Sequence, residues 1–70
     1  MMIEVFKTSV GEQRSAQKII NVLQKHFPDS KINFDLGDCD NVLRVEGENL
    51  LPGSIIKLLQ SHGFICEALD

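Results

Sequence analysis

The feature that most constrains the fold is a long amphipathic segment, Thr8–Phe27 (TSVGEQRSAQKIINVLQKHF), which follows directly on a short apolar stretch. Its apolar residues recur every three or four positions, which is the spacing of one face of a helix. They are Ala16, Ile19, Ile20, Leu23 and Phe27. Ser9 and Glu12 have the spacing of a capping box, so the sequence predicts a helix start at this turn. Pro28 ends the helix.

Two strands are predicted around this helix. Met2–Lys7 is rich in β-forming residues, and its alternation places Ile3 and Val5 inward and leaves Phe6 on the outer face. Lys31–Leu36 has the cleanest period of two in the chain, which predicts a second strand. Its inward residues are Ile32, Phe34 and Leu36.

The rest of the chain predicts a return strand, a second helix and a last strand. Val42–Glu46 follows a stretch of turn composition and reads as the return strand, with Leu43 and Val45 inward. Asn49 is a candidate N-cap for the second helix, and Gly63 is a candidate C-cap. The apolar face of that helix is Leu51, Ile55, Leu58 and Leu59. In the last strand, Phe64–Leu69, one face carries Phe64, Cys66 and Ala68, and the other carries Ile65, Glu67 and Leu69.

The element order is therefore β-α-β-β-α-β, with two amphipathic helices. This order predicts a single α+β domain over residues 1–70 with a ferredoxin-like arrangement, a four-stranded antiparallel sheet with both helices on one face. In that topology three loops meet at one end of the sheet: Thr8–Glu12, Gly37–Asn41 and His62–Phe64. A site built from several loops is expected there.

Composition excludes several classes of function. The chain has 70 residues, with seven Lys and Arg scattered among ten Asp and Glu and without Trp or Tyr, which argues against a nucleic-acid partner. No apolar run is long enough to span a membrane, and the first residues lack the pattern of a signal peptide. Two remote cysteines are expected to be free thiols in a reducing compartment, so a cytoplasmic location is predicted.

The sequence has no recognisable catalytic arrangement or phosphate-binding glycine loop, which predicts a protein that is not an enzyme and needs no cofactor.

Three segments, Lys25–Pro28, Ile32–Asp35 and Ile55–Ala68 (IIKLLQSHGFICEA), resemble the heavy-metal-associated domain of copper chaperones and metal-transporting ATPases. The resemblance extends over nearly the whole chain and implies the same fold. That family binds copper through a Met-x-Cys-x-x-Cys motif at the first turn.

Aligned on this resemblance, Val10 takes the Met position, and Glu12 and Ser15 replace the two cysteines. Copper(I) is a soft ion held by thiolates, which a carboxylate and a hydroxyl do not replace. The resemblance therefore implies a fold that has lost its copper site, and we expect no metal at this position.

Three hypotheses on function follow. The first is a non-catalytic binding module that uses an apolar patch on the uncovered sheet face, formed by Phe6, Val42, Ile65 and Leu69, for a protein partner or for self-association. The second is a relocated zinc-type site from Cys39, His62 and a carboxylate. In the alternative interpretation, Asp38–Asp40 only shapes a turn and His62 caps a helix. The third is a small-ligand regulatory domain that binds its ligand at a dimer interface.

Overall fold

The computed structural model describes residues 1–37 and 39–69. Its elements are β1 (Met2–Thr8), α1 (Gln13–His26), β2 (Lys31–Asp35), β3 (Val42–Gly47), α2 (Pro52–Ser61) and β4 (Cys66–Ala68). The four strands form one sheet in the order β2-β3-β1-β4, and every neighbouring pair is antiparallel. The predicted α+β, ferredoxin-like fold is confirmed.

The core lies between the sheet and the two helices. It is a single cluster of buried side chains to which both helices and all four strands contribute. Its members are Phe6, Val10, Ala16, Ile19, Leu23, Ile32, Leu43, Val45, Leu50, Ile55, Leu59 and Cys66. Full burial of a large aliphatic or aromatic side chain contributes about 1.5–3 kcal/mol, so this cluster is the main source of stability. The predicted inward positions of β2 and β3 are confirmed, because Ile32, Leu43 and Val45 are all buried.

The predicted facing of β1 is wrong. Phe6 is fully buried, whereas Ile3, which was expected to face inward, is exposed. The reason is the register with β3, in which Phe6 lies opposite Leu43 and Glu4 opposite Val45. Residues directly opposite each other share a face of the sheet, so Phe6 must point into the core with its partner. A shift of one residue in a period-two pattern reverses every side chain of the strand.

The start of α1 also differs from the prediction. The helix begins after Glu12, which is its N-cap but makes no capping hydrogen bond through its side chain. The Ser9 hydroxyl does not cap the helix, because its Oγ accepts a hydrogen bond from the Ile65 N–H at 2.8 Å. The loop between β1 and α1 is instead held by Val10, which is fully buried in the core.

The second helix, α2, begins two residues later than expected. Asn49 has a φ of +55° and so reverses the chain rather than capping the helix, and the N-cap is Leu51. As a result Leu50 enters the core and Leu51, which was predicted to be buried, is exposed.

The predicted end of α2 is confirmed. Gly63 has a φ of +86°, a conformation that glycine adopts without strain. The Phe64 N–H donates to the Leu59 carbonyl and the Gly63 N–H donates to the Gln60 carbonyl, both at 3.0 Å. This pair of bonds is a Schellman motif. It directs the chain into β4, which is shorter than predicted.

Candidate functional site

The loop end of the sheet is organised by one buried hydroxyl. The Thr8 N–H donates to the Asp40 carbonyl at 3.2 Å, and the Thr8 Oγ1 donates to the Asn41 carbonyl at 2.7 Å. The same oxygen accepts a hydrogen bond from the Val10 N–H at 3.2 Å. Thr8 therefore joins the end of β1, the turn between β2 and β3, and the loop that leads to α1.

The third loop joins this end through Ser9 and Ile65. The Ser9 N–H donates to the Ile65 carbonyl at 3.0 Å, while the Ile65 N–H donates to the Ser9 hydroxyl at 2.8 Å. These two bonds extend the pairing of β1 with β4 by one position, since Thr8 already lies opposite Cys66. The three loops therefore lie together at one end, as the topology predicts.

The residues at the cysteine positions of the resemblance do not suit copper(I). Glu12 is exposed at the N-cap of α1, and Ser15 is half-buried in the first turn of that helix. Their donors are a carboxylate and a hydroxyl, neither of which is the soft thiolate that copper(I) prefers. Val10 lies beneath the loop as an apolar plug. No step of binding or transfer through copper follows from this arrangement.

Cys39 and His62, the residues of the zinc hypothesis, are both exposed, and both cysteines of the chain are free. The His62 Nδ1 lies 2.9 Å from the Leu58 carbonyl oxygen, which only accepts hydrogen bonds, so this nitrogen carries the proton and caps the C-terminus of α2. Asp38, the other member of the predicted turn, lies outside the described residues. Within residues 1–37 and 39–69, no three His, Cys, Asp or Glu side chains are grouped as they would be around a metal ion.

The second thiol, Cys66, is buried and unreactive near neutral pH. Cys66 is only 4% exposed and faces the core from β4, as the sequence predicted. Its burial, with a smaller contribution from the charge of Glu67, raises the pKa of the thiol from 9.0 to about 11. The thiolate is the reactive form of cysteine, so Cys66 acts as a small apolar core residue near neutral pH.

The uncovered face of the sheet carries the apolar surface. Ile3, Ile65 and Leu69 are 55%, 65% and 40% exposed, and Val5 and Val42 are half-buried beside them. The sequence predicted Val42, Ile65 and Leu69 on this face correctly. It was wrong to include Phe6, which belongs to the core, and it missed Ile3 and Val5 because β1 was assigned the opposite facing. We call these five residues, Ile3, Val5, Val42, Ile65 and Leu69, the sheet patch.

Charged residues of both signs lie beside and between the members of the sheet patch. The strand registers place three bases and three acids on the same face: Lys7, Lys31, Arg44, Asp35, Glu46 and Glu67. Lys31 lies directly opposite Glu46, and Lys7 lies opposite Glu67. At the edge of the face, the Lys7 Nζ is 3.8 Å from an Asp40 carboxylate oxygen. The strand residues of this face therefore have no net formal charge, although the whole chain has a formal charge of −3.

Comparison with known proteins gives no assignment. No protein-family model matches the chain, and no curated protein matches it. Neither α1 nor α2 in the described part of the chain has the length and apolar character needed to cross a membrane.

Proposed function

We propose that this chain is a small non-catalytic interaction module, resembling a heavy-metal-associated domain without its copper site, and that two copies associate through the sheet patch. The observation that carries the proposal is the exposure of Ile3, Ile65 and Leu69 on the side of the sheet that no helix covers. Ile3, Val5 and Leu69 are adjacent there, and Ile65 lies beyond the Lys7–Glu67 pair. Contiguous apolar side chains rimmed by polar residues are typical of interaction surfaces.

The sheet patch is continuous at one corner of the face. Ile3 and Val5 are alternate residues of β1, and the Leu69 N–H donates to the Val5 carbonyl at 2.8 Å. Covering the exposed part of each large side chain would contribute on the order of 1 kcal/mol. Several such contributions are needed to offset the translational and rotational entropy that two molecules lose when they associate. All members of the patch must therefore be covered in the dimer.

The charges around the sheet patch favour a second copy of the chain as the occupant. A two-fold axis brings different residues of two identical faces together. A face with equal numbers of interspersed bases and acids can therefore oppose its own copy without net repulsion, even though the two whole molecules, each at −3, repel one another. A strongly acidic or basic partner would find no such match on this face.

The size of the face sets the strength of the association. The two larger dimensions of the molecule are 27 and 24 Å, so a face-to-face dimer buries on the order of 1,200 Å² in total, the lower end of the range for specific interfaces. We therefore expect a reversible dimer of modest affinity.

The histidines support a non-catalytic role. Each imidazole Nδ1 lies close to a carbonyl of its own helix, at 3.1 Å between His26 and Val22 and at 2.9 Å between His62 and Leu58. Both rings therefore cap carbonyl groups near helix C-termini. The Ser61 hydroxyl lies 3.3 Å from the His62 Nδ1, but it donates its proton to the Leu58 carbonyl at 2.8 Å, so the histidine does not act as its base in this arrangement.

Sedimentation equilibrium of the full chain and of matched variants tests the proposal. We expect Ile3→Ser combined with Ile65→Ser to weaken self-association at least tenfold, because both side chains lie in the sheet patch. Leu51→Ser is the control, since Leu51 is 59% exposed but lies at the start of α2. A wild-type chain that stays monomeric at high concentration, or an equal weakening by Leu51→Ser, would contradict the proposal.

A further inference from the structure

The two helices differ from the rest of the chain in charge. Within residues 13–26 and 52–61 there are four bases, Arg14, Lys18, Lys25 and Lys57, and no Asp or Glu. All ten acids of the chain belong to other segments. The helix layer is therefore positive on a chain whose formal charge is −3, which makes it a local attractor for anionic groups.

An open groove of about 520 Å³ lies between the C-terminal end of α1 and one side of α2, along which it extends from Leu51 to Ser61. One wall is the C-terminal end of α1, with His26 and Phe27, and the other is one side of α2. The residues of α2 that line it are Leu51, Ser54, Lys57, Leu58 and Ser61. Most of the surface that lines the groove is apolar. Its apolar residues are Phe27 and Leu58, which are half-buried, and Leu51, which is exposed.

Both helices carry lysines near the groove, and one of them is part of its lining. Lys57 lines it directly. On α1, Lys18, Val22 and His26 follow one another at intervals of four residues, so they lie along one ridge of the helix, and His26 places this ridge beside the groove. Lys25 is adjacent to His26 in the chain and is exposed. The groove is thus an apolar channel with cationic borders.

One end of the groove has the opposite charge. A neighbouring cavity that shares His26 and Phe27 is lined by Asp29 and Glu48. An elongated ligand therefore meets acids at this end and lysines toward the middle of the helices. This polarity fixes the direction in which a charged ligand lies.

We propose that the groove binds an acidic peptide segment of a partner protein. One or two large apolar side chains of the peptide occupy the channel against Phe27, Leu51 and Leu58. Its Asp or Glu side chains lie toward Lys57 and Lys18, away from Asp29 and Glu48. A channel open along its length suits a peptide that passes through it, since the peptide can leave its charged side chains at the border and bury only its apolar ones. Because the groove and the sheet patch lie on opposite layers, this inference is independent of the proposed dimer.

Fluorescence anisotropy of the full-length chain with a labelled short peptide tests this inference. The probe carries a central Leu-Phe pair followed by three Glu residues. We expect saturable binding that weakens as salt is raised, because screening reduces the attraction between exposed charges. Replacing the Leu-Phe pair by Ser, or the three Glu by Gln, should each raise the Kd at least tenfold.

Matched variants locate the site. We expect Lys57→Glu and Leu51→Ser each to raise the Kd at least tenfold, and Lys31→Glu, with the same change of net charge on the opposite layer, to change it less than twofold. Amide shifts on binding should be confined to α2 and to the C-terminal end of α1. Equal losses in Lys57→Glu and Lys31→Glu would overturn the proposal, because they would indicate attraction by net charge alone.

Two further outcomes would also overturn it. Tighter binding of single-stranded DNA or of anionic phospholipid vesicles than of the peptide, lost in Lys57→Glu, would assign the helix layer to another class of partner. The proposal would also be overturned if no acidic peptide with an apolar pair showed saturable binding to the wild-type chain. Ile3→Ser combined with Ile65→Ser should leave peptide affinity unchanged, so the two proposals fail separately.

Discussion

Thr8 donates a hydrogen bond from its Oγ1 to the carbonyl oxygen of Asn41 at 2.7 Å, and this contact joins the end of β1 to the turn between β2 and β3. The same hydroxyl accepts the buried N–H of Val10 at 3.2 Å. The loop in which the resemblance places metal chemistry is therefore held by the buried Thr8 hydroxyl together with the hydrogen bonds between Ser9 and Ile65, and Val10 is buried beneath it.

Thr8→Val tests this arrangement because it keeps the shape of the side chain and removes the hydroxyl. We expect it to lower the free energy of unfolding by about 1–3 kcal/mol, since the Val10 N–H loses its partner inside the protein. Chemical denaturation measures the change. Thr8→Ser is the control, because it retains the hydroxyl and loses only a methyl group, which costs on the order of 1 kcal/mol. A larger loss in Thr8→Ser than in Thr8→Val would refute this role for the hydroxyl.

The facing of β1 predicts opposite results at neighbouring positions. Phe6→Ala should cost about 3–5 kcal/mol through the cavity that it leaves, which is comparable to the whole stability expected of a domain this small. Ile3→Ala, at an exposed position, should cost less than about 1 kcal/mol. Thermal unfolding distinguishes the two variants, and similar losses at both positions would show that the strand register is wrong.

The contact between Gly47 and Ser30 predicts a steric effect. A Cβ on Gly47 would lie 2.6 Å from the Ser30 Oγ and 3.4 Å from its Cα, so Gly47→Ala should destabilise the protein by about 1–3 kcal/mol. Adding Ser30→Gly removes the clashing atoms and should recover part of the loss in a double-mutant cycle. Gly53→Ala is the matched control in α2, where a Cβ meets no atom within 4 Å, and it should leave stability unchanged or raise it. Equal destabilisation by both alanines would contradict the contact.

Burial of Cys66 predicts a loss of stability at high pH. Because the pKa of the folded thiol is about 11 and its ordinary value is 9.0, the unfolded chain releases this proton first. The neutral thiol therefore makes its full contribution to the free energy of unfolding below pH 9. As the pH rises from 9 to about 11, the free energy of unfolding falls by about 2–3 kcal/mol in total. Denaturation curves of wild type and Cys66→Ala should converge or cross over this range, whereas Cys39→Ala should follow the wild type. Parallel curves for wild type and Cys66→Ala would show that the thiol ionises as readily in the folded protein.

The fold could be predicted from the sequence wherever apolar spacing allowed one interpretation. The core face of α1, the alternation of β2 and β3, and the glycine end of α2 at Gly63 all agree with the structure. In β1 the spacing was ambiguous, because Ile3, Val5 and Phe6 make both faces apolar, and only the register with Leu43 decides which face is buried.

Helix starts failed for a different reason. The Ser9 hydroxyl accepts a hydrogen bond from the N–H of Ile65, 56 residues away in the chain. This tertiary contact replaces the local capping bond that the sequence pattern predicted. Of the candidate site, Val42, Ile65 and Leu69 could be placed on the uncovered face from alternation alone. The remaining members, Ile3 and Val5, depended on the unresolved facing of β1. The groove between the helices could not be predicted, since it depends on how the end of α1 lies against α2.

The most direct test of the central claim, that the sheet patch joins two copies of the chain, is amide NMR of the wild type at a series of dilutions from about 1 mM. We expect concentration-dependent shifts at Ile3, Val5 and Glu67, with the amides of Lys18 and Lys25 unchanged. Rotational correlation times should fall from those of a dimer to those of a single chain over the same series. Spectra that stay the same on dilution, with the rotational correlation time of a single chain throughout, would contradict the claim. Concentration-dependent shifts confined to the helices would contradict it as well.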